Sequence, residues 1–209
     1  KDFSETYPFS TVSRFDPLKK EWISVAEMSG GRTLFSAIAI EKKIYVFGGS
    51  NFRLKANACE VYDCESNTWT PIQSMHLPRM RCGVAQYHGD LYVFYGFIFE
   101  NSTVKSWNNA ERYSILEDKW TLLEFESTPT PPGVEIRYHF LGIHNDAWYC
   151  LLEETNIPFR KTYMKSFDMK SRKEKTSREL PNFFYITLLP QCIMEKLSFK
   201  MTNVFFMLI

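Results

Sequence analysis

Apolar and polar positions alternate in short runs along most of the chain. The clearest stretch lies between residues 36 and 72. Residues 36–40, 44–48, 58–62 and 68–72 are rich in β-branched and aromatic side chains, which fit a pleated, half-buried surface. Turn chemistry separates them: Glu41-Lys42-Lys43, a polar stretch over 50–57, and Asp63-Cys64-Glu65-Ser66-Asn67. The pattern predicts an antiparallel meander of four strands, a to d. The same pattern returns further along the chain.

Three markers define the repeat. The first is an aromatic followed by Asp or a substitute, with Trp six residues after it: Phe15-Asp16 with Trp22, Tyr62-Asp63 with Trp69, and Tyr113-Ser114 with Trp120. In a fourth copy, Phe167-Asp168 is followed by Glu174 at the Trp position. The Asp positions are 47, 51 and 54 residues apart, a period typical of repeat architectures. The second marker is an apolar strand ending in glycine, Ile44-Tyr45-Val46-Phe47-Gly48-Gly49 and Leu91-Tyr92-Val93-Phe94-Tyr95-Gly96; its third copy, Ala147-Trp148-Tyr149-Cys150-Leu151-Leu152, has neither glycine. The third is an arginine 13 residues before each of the first two tyrosines, Arg32 and Arg79.

Four-stranded sheets repeated about an axis make a β-propeller. The expected fold is therefore all-β, with a half-blade over 1–28, blades over about 32–76, 79–125 and 137–180, and a second half-blade over 183–209. Each marker has a physical role. Gly48 and Gly49 let backbone pass closely or take φ > 0 where a strand ends. Trp22, Trp69 and Trp120 are expected to bury ~150–250 Å² each between blades. Asp16 and Asp63 open tight turns by accepting backbone N–H groups. Residues 183–189 and 203–209 are nearly all apolar. As two inner strands they leave an aggregation-prone edge, unless 11–16 and 21–25 close onto them.

Composition changes this picture little. Aromatics are 16%, with 18 Phe and 11 Tyr, which suits β-structure. Lys+Arg number 25 and Asp+Glu 24, so no field favours a nucleic acid. The basic run Lys165, Lys170, Arg172, Lys173, Lys175 and Arg178 is broken by Asp168 and Glu174 and reads as a solvated hairpin. No uncharged run reaches the ~18–20 residues of a membrane helix. The five cysteines have no metal or disulfide spacing and read as reduced thiols of a cytoplasmic or nuclear protein. The four histidines read as surface or core residues. No cofactor or metal is expected. The chain opens on Lys1 with no signal segment, which suggests a start within a longer protein.

Apolar-Tyr-Val-x-Gly-Gly, then Tyr-Asp, then Trp, then Met (Met28, Met75) resembles the kelch repeat. The resemblance spans roughly residues 8–180 and fades after 137. It implies a kelch-type propeller with more blades than are visible here, and a protein-binding function. The likeness is strongest to BTB-kelch substrate adaptors of cullin ubiquitin ligases. In those proteins a BTB and BACK region contacts the cullin, and nothing in these 209 residues resembles it.

In such a meander the b–c loops and d–a links share one face. Here they are the longer segments, 50–57, 74–81, 97–108, 126–137 and 153–161, and loops on a rigid scaffold carry recognition. That face offers Arg32, Arg79, Arg81 and Arg137, with Asn51, Arg53 and Lys55. A guanidinium donates two parallel hydrogen bonds to a carboxylate. Arg81, in Pro78-Arg79-Met80-Arg81-Cys82-Gly83-Val84, matches the position where kelch adaptors hold acidic peptides. The expected partner is thus a protein with an acidic segment, the expected role substrate recognition for a cullin-RING ubiquitin ligase, and the expected location the cytoplasm, with nuclear or cytoskeletal placement as alternatives. An actin-binding kelch protein is the second reading. A kelch-type enzyme, such as a copper-dependent sugar oxidase or a sialic-acid isomerase, is the third.

Overall fold

In the computed structural model, the described residues are 9–50, 56–100, 103–125, 135–155, 161–180 and 207–208. All their regular elements are strands: β1 (Val12–Asp16), β2 (Glu21–Val25), β3 (Ser36–Ile40), β4 (Lys43–Phe47), β5 (Cys59–Asp63), β6 (Thr68–Ile72), β7 (Gly83–Tyr87), β8 (Asp90–Phe94), β9 (Phe97–Glu100), β10 (Thr103–Ser106), β11 (Ala110–Ser114), β12 (Lys119–Leu123), β13 (Glu135–His144), β14 (Ala147–Thr155), β15 (Lys161–Asp168), β16 (Glu174–Leu180) and β17 (Met207–Leu208). They form antiparallel four-stranded blades β3–β4–β5–β6, β7–β8–β11–β12 and β13–β14–β15–β16, plus a smaller sheet β17–β1–β2. The fold is an all-β propeller, as the pattern predicts. The second blade departs from expectation: its 97–108 link is no irregular loop but holds a hairpin of its own, β9–β10.

Alternation along the b strands builds two aromatic slabs. Tyr45 and Phe47 of β4 meet Leu91 and Val93 of β8, with Tyr113 and Trp120, between the first and second full blades. Phe94 and Tyr95 turn the opposite way and meet Trp148, Cys150 and Phe167 of the third. Close approach of backbone explains the glycine pair. Gly48 sits at φ +62, and a Cβ there would lie 2.2 Å from the Arg79 carbonyl oxygen. Tyr95 holds the matching place in the next blade at φ +58, its ring fully buried.

A polar clasp joins successive blades. Trp69 Nε1 donates to the Ala26 carbonyl at 2.8 Å. Asn67 Oδ1 accepts the Ala26 N–H and the Tyr62 hydroxyl, at 2.9 and 2.8 Å. One repeat later, Trp120 Nε1 donates to Gln73 O at 2.7 Å, and Asp118 Oδ1 accepts the Gln73 N–H and the Tyr113 hydroxyl at 2.9 and 2.7 Å. Each clasp thus takes both backbone groups of one residue in the preceding blade. The third blade has Phe167, Arg172 and Glu174 at these positions and none of those three polar atoms. Its Glu174 instead accepts from Lys165 Nζ at 2.9 Å within the blade. The joint to the second blade is aromatic: Phe94 stacks on Phe140 at 4.5 Å and Tyr95 on Tyr138 at 4.6 Å, while Trp148 Nε1 donates to the Tyr95 hydroxyl at 2.8 Å.

Trp22 is a correction to the expected burial. It is 46% exposed, because no described blade precedes β1–β2 to cover it; it packs on Phe15 at 5.3 Å. Trp69 is half-buried and Trp120 buried. At the other end, Met207 and Leu208 pair with Arg14 and Ser13 and cover part of the free edge of β1. The predicted strand over 183–189 lies outside the described residues, as does most of 203–209.

The c–d turns follow prediction. Asp16, Asp63 and Asp168 each accept two backbone N–H groups. Those bonds hold the Asp168 carboxyl down at about 2, so its share of stability is present above the unfolded value of 3.8 and is lost as pH falls toward 2.

The clasp generates a contrast that urea unfolding can check. Trp120→Ala should cost ~3–5 kcal/mol, as core aromatic truncations do. Trp22→Ala should cost about 1 kcal/mol or less, because its ring is already half in water. Equal effects would place blade cohesion elsewhere.

Candidate functional site

The loop-rich face is built by the starts of the a strands, the ends of the b strands, and the links between them. Arg32 and Arg79 lie in the d–a links, yet both turn inward. Arg32 is 4% exposed and Arg79 0%. Arg32 Nη2 donates to Glu60 Oε1 at 2.7 Å, and its Nη1 to the carbonyls of Gly48 and Ala58, both at 3.0 Å. Arg79 repeats this with Glu111 at 3.1 and 3.2 Å, and reaches the Tyr95 carbonyl at 2.6 Å and Asn109 Oδ1 at 2.7 Å. The free lone pairs of each glutamate accept link N–H groups: Ser29 on Glu60, His76 and Leu77 on Glu111. Burial pulls the Arg79 guanidinium below its ordinary range, and Glu111 opposes that. These two arginines are therefore braces between link and blade. Their expected place on the partner-binding surface is corrected: their donors are used inside the sheet.

One sequence signal marks the braces. Glu60 and Glu111 are carboxylates at the second position of the c strands, three positions before Asp63 and Ser114, and a buried carboxylate needs a partner. In the third blade the position is Lys165, so the brace changes sign along with the lost tryptophan.

Arg81 and Arg137 are different. Both are exposed. Arg81 takes φ +49, as Leu34 takes φ +57 one repeat earlier, and its N–H donates to the Leu34 carbonyl at 2.7 Å. This left-handed residue kinks the chain just before β7 and leaves the guanidinium outside. Arg137 lies on β13, which packs against β7. Its cross-strand neighbour is Glu153 of β14. His139 lies on the same side of β13, two residues on, with Nε2 3.7 Å from Glu153 Oε2. That nitrogen is buried without a hydrogen bond. Desolvation lowers the His139 pKa below its ordinary 6.5; Glu153 opposes this, and the positive fields of Arg137 and Arg81 add to it. The fold thus brings Arg81, Arg137, His139 and Glu153 together from two blades. His139 and Glu153 carry no sequence signal, because only the β13–β14 register assembles them. Asn51 and Arg53, with Lys55, lie outside the described residues.

The chemistry available is anion recognition: two exposed guanidinium groups beside a titratable imidazole. Among the described residues no three His, Cys, Asp or Glu side chains gather as a metal centre.

Residues 31–76 and 78–124 match the kelch motif. Those two segments are kelch motifs, and they lie in the first two full blades of the all-β propeller. An F-box/kelch-repeat protein of Arabidopsis thaliana is 35% identical over 114 residues, 52% of this chain and 30% of the relative. Kelch-like protein 33 of Homo sapiens is 30% identical over 91 residues, 44% of this chain and 17% of the relative. The chain thus spans less than a third of each relative's length. The solved structure of YjhT superposes with a TM-score of 0.57 at 17% identity, covering 75% of this chain and 54% of that one, which shows the fold alone. The kelch motifs and these relatives support a protein-interaction module.

The braces can be tested directly. Glu111→Ala would leave Arg79 buried without its carboxylate and should cost ~3–5 kcal/mol. Replacing both Arg79 and Glu111 by apolar residues of similar volume should cost much less, measured by chemical unfolding. A double variant as damaged as the single would show that shape rather than charge holds the link.

Proposed function

We propose that this kelch propeller is the substrate-recognition part of a cullin-RING ubiquitin ligase, and that it holds an acidic segment of its target on the Arg81–Arg137 face. The carrying observation is that these two guanidinium groups are exposed on adjacent blades whose strands β7 and β13 pack together, with the fields of both reaching His139, while Arg32 and Arg79 of the links are buried in pairs. Among the described residues neither Arg81 nor Arg137 is in an ion pair. An exposed guanidinium gains a charge-assisted, bidentate contact from a carboxylate at small desolvation cost. The ligase assignment is supported by the F-box/kelch-repeat and kelch-like names of the relatives. Contact with the cullin would belong to a region outside these 209 residues. Free Cys59, Cys64, Cys82 and Cys150 suit a cytoplasmic setting. No catalytic step is assigned to the propeller itself.

Two measurements bear on this reading. With an identified target, Arg81→Ala should weaken binding by ~1.5–3 kcal/mol and leave the unfolding midpoint in place; unchanged affinity would remove Arg81 from the surface. Co-purification of the whole gene product with a cullin is the expected outcome for the ligase role, and co-sedimentation with actin instead would replace it with a cytoskeletal one.

The pH dependence has a definite sign. His139 is neutral in the free protein down to below its ordinary 6.5. Protonation adds a third cation to the site, and carboxylates of the target stay ionised above about pH 4.3. Affinity for an acidic segment should therefore rise as pH falls from about 7.5 to about 5.5, and His139→Gln should flatten that slope in a calorimetric titration.

A further inference from the structure

The second blade carries an addition that a propeller blade does not need. Its b–c connection rises into the β9–β10 hairpin instead of crossing directly. Isolated two-stranded hairpins are marginal in water, so this one depends on its anchors. Phe97 and Met80 exchange both backbone hydrogen bonds, at 2.9 and 3.0 Å. The Trp107 indole donates to the Pro78 carbonyl at 2.7 Å. Both anchors lie in the link that ends at Arg81. On its other side β10 packs beside β13, the strand of Arg137. The hairpin is thus fixed between the two exposed arginines' own elements.

Its two faces differ sharply. The register pairs Phe99 with Val104 and Phe97 with Ser106, so Phe97, Phe99 and Val104 share one face. Phe99 is 63% exposed and Val104 45%. The Phe97 and Phe99 rings meet edge to face at 5.5 Å. The opposite face closes on itself: Lys105 Nζ lies 3.7 Å from Glu100 Oε2 and 4.9 Å over the Trp107 ring. The cation on the hairpin is therefore already engaged, and the aromatic face is uncovered.

We infer that this apolar face and the Arg81–Arg137 pair form one bipartite recognition surface, whose occupant is an acidic protein segment with a large apolar residue next to its carboxylates. The acidic half rests on the function proposed above; the apolar half rests on the hairpin. Charge complementarity selects the occupant. A purely apolar partner would bury two guanidinium groups without carboxylates, which is costly. A purely acidic one would leave the aromatic face in water. Large apolar anchors in preformed sites carry much of the binding energy at protein interfaces, and a hairpin held at both feet is preorganised to receive one.

A display library of random peptides, panned against the propeller, tests both halves separately. Wild type should enrich peptides with an acidic run and one Phe, Trp, Leu or Met at a constant offset. Phe99→Ser changes an exposed side chain and should leave the unfolding midpoint unchanged. It should weaken a selected peptide at least tenfold and enrich acidic peptides without the apolar residue. Replacing that residue by Ala in the peptide should erase the difference between wild type and Phe99→Ser. Arg81→Ala should lower the affinity of both peptide forms. Enrichment of acidic peptides indifferent to Phe99→Ser overturns the bipartite surface and leaves the acidic reading standing. Enrichment of apolar peptides indifferent to Arg81→Ala overturns the acidic reading and the bipartite surface with it. No enrichment at all overturns both.

Discussion

The buried guanidinium–carboxylate pair between link and blade is the contact on which the rest of the propeller depends. Arg32 with Glu60, and Arg79 with Glu111, bring opposite charges almost completely out of water. Such pairs add little net stability against an apolar core, but losing one partner is severe. Their effect is to specify position. Each glutamate accepts from the link N–H groups, while its arginine accepts no other arrangement than one that also meets the carbonyls at the end of the b strand. The d–a link is thereby set at one height above the blade. The left-handed kink at Arg81 follows two residues after Arg79, so a buried brace determines where an exposed guanidinium stands.

The third blade shows what happens when this scheme decays. Lys165 replaces the brace carboxylate and Glu174 the clasp tryptophan, and the two pair with each other. A charge left alone at either site would be costly, and the mutual pair removes both problems within one blade. Cohesion with the second blade passes to stacked rings. Gly83 has room for no side chain there, since a Cβ would meet Phe140 at 2.0 Å. Across this tight joint the charges of both Arg81 and Arg137 reach His139. The face with exposed cations therefore coincides with the least regular seam of the propeller.

The repeat was legible in the sequence because its markers are local. Aromatic-Asp pairs, Gly-Gly and Trp each answer a constraint set within a few residues: a turn, a close backbone passage, a ring against the next sheet. Strand order within each blade followed from that. The β9–β10 hairpin was not legible, since a polar gap at 101–102 between two short runs has no strong turn signal. Two of the candidate arginines, Arg32 and Arg79, were misread for a related reason. Four arginines in similar links look alike in one dimension, and only the glutamate in the c strand, about thirty residues downstream, separates a brace from a surface group.

By itself, the sequence determined the all-β repeat and its period, because hydrophobic alternation and turn chemistry act over short distances. The tertiary structure decided which charges are spent. Whether a guanidinium is used inside or left outside depends on what lies across the sheet and on the next blade, and so do the meeting of His139 with Glu153, the covering of β1 by Met207 and Leu208, and the exposure of Trp22. Those outcomes follow from pairing register and blade contact, which join residues far apart in the chain.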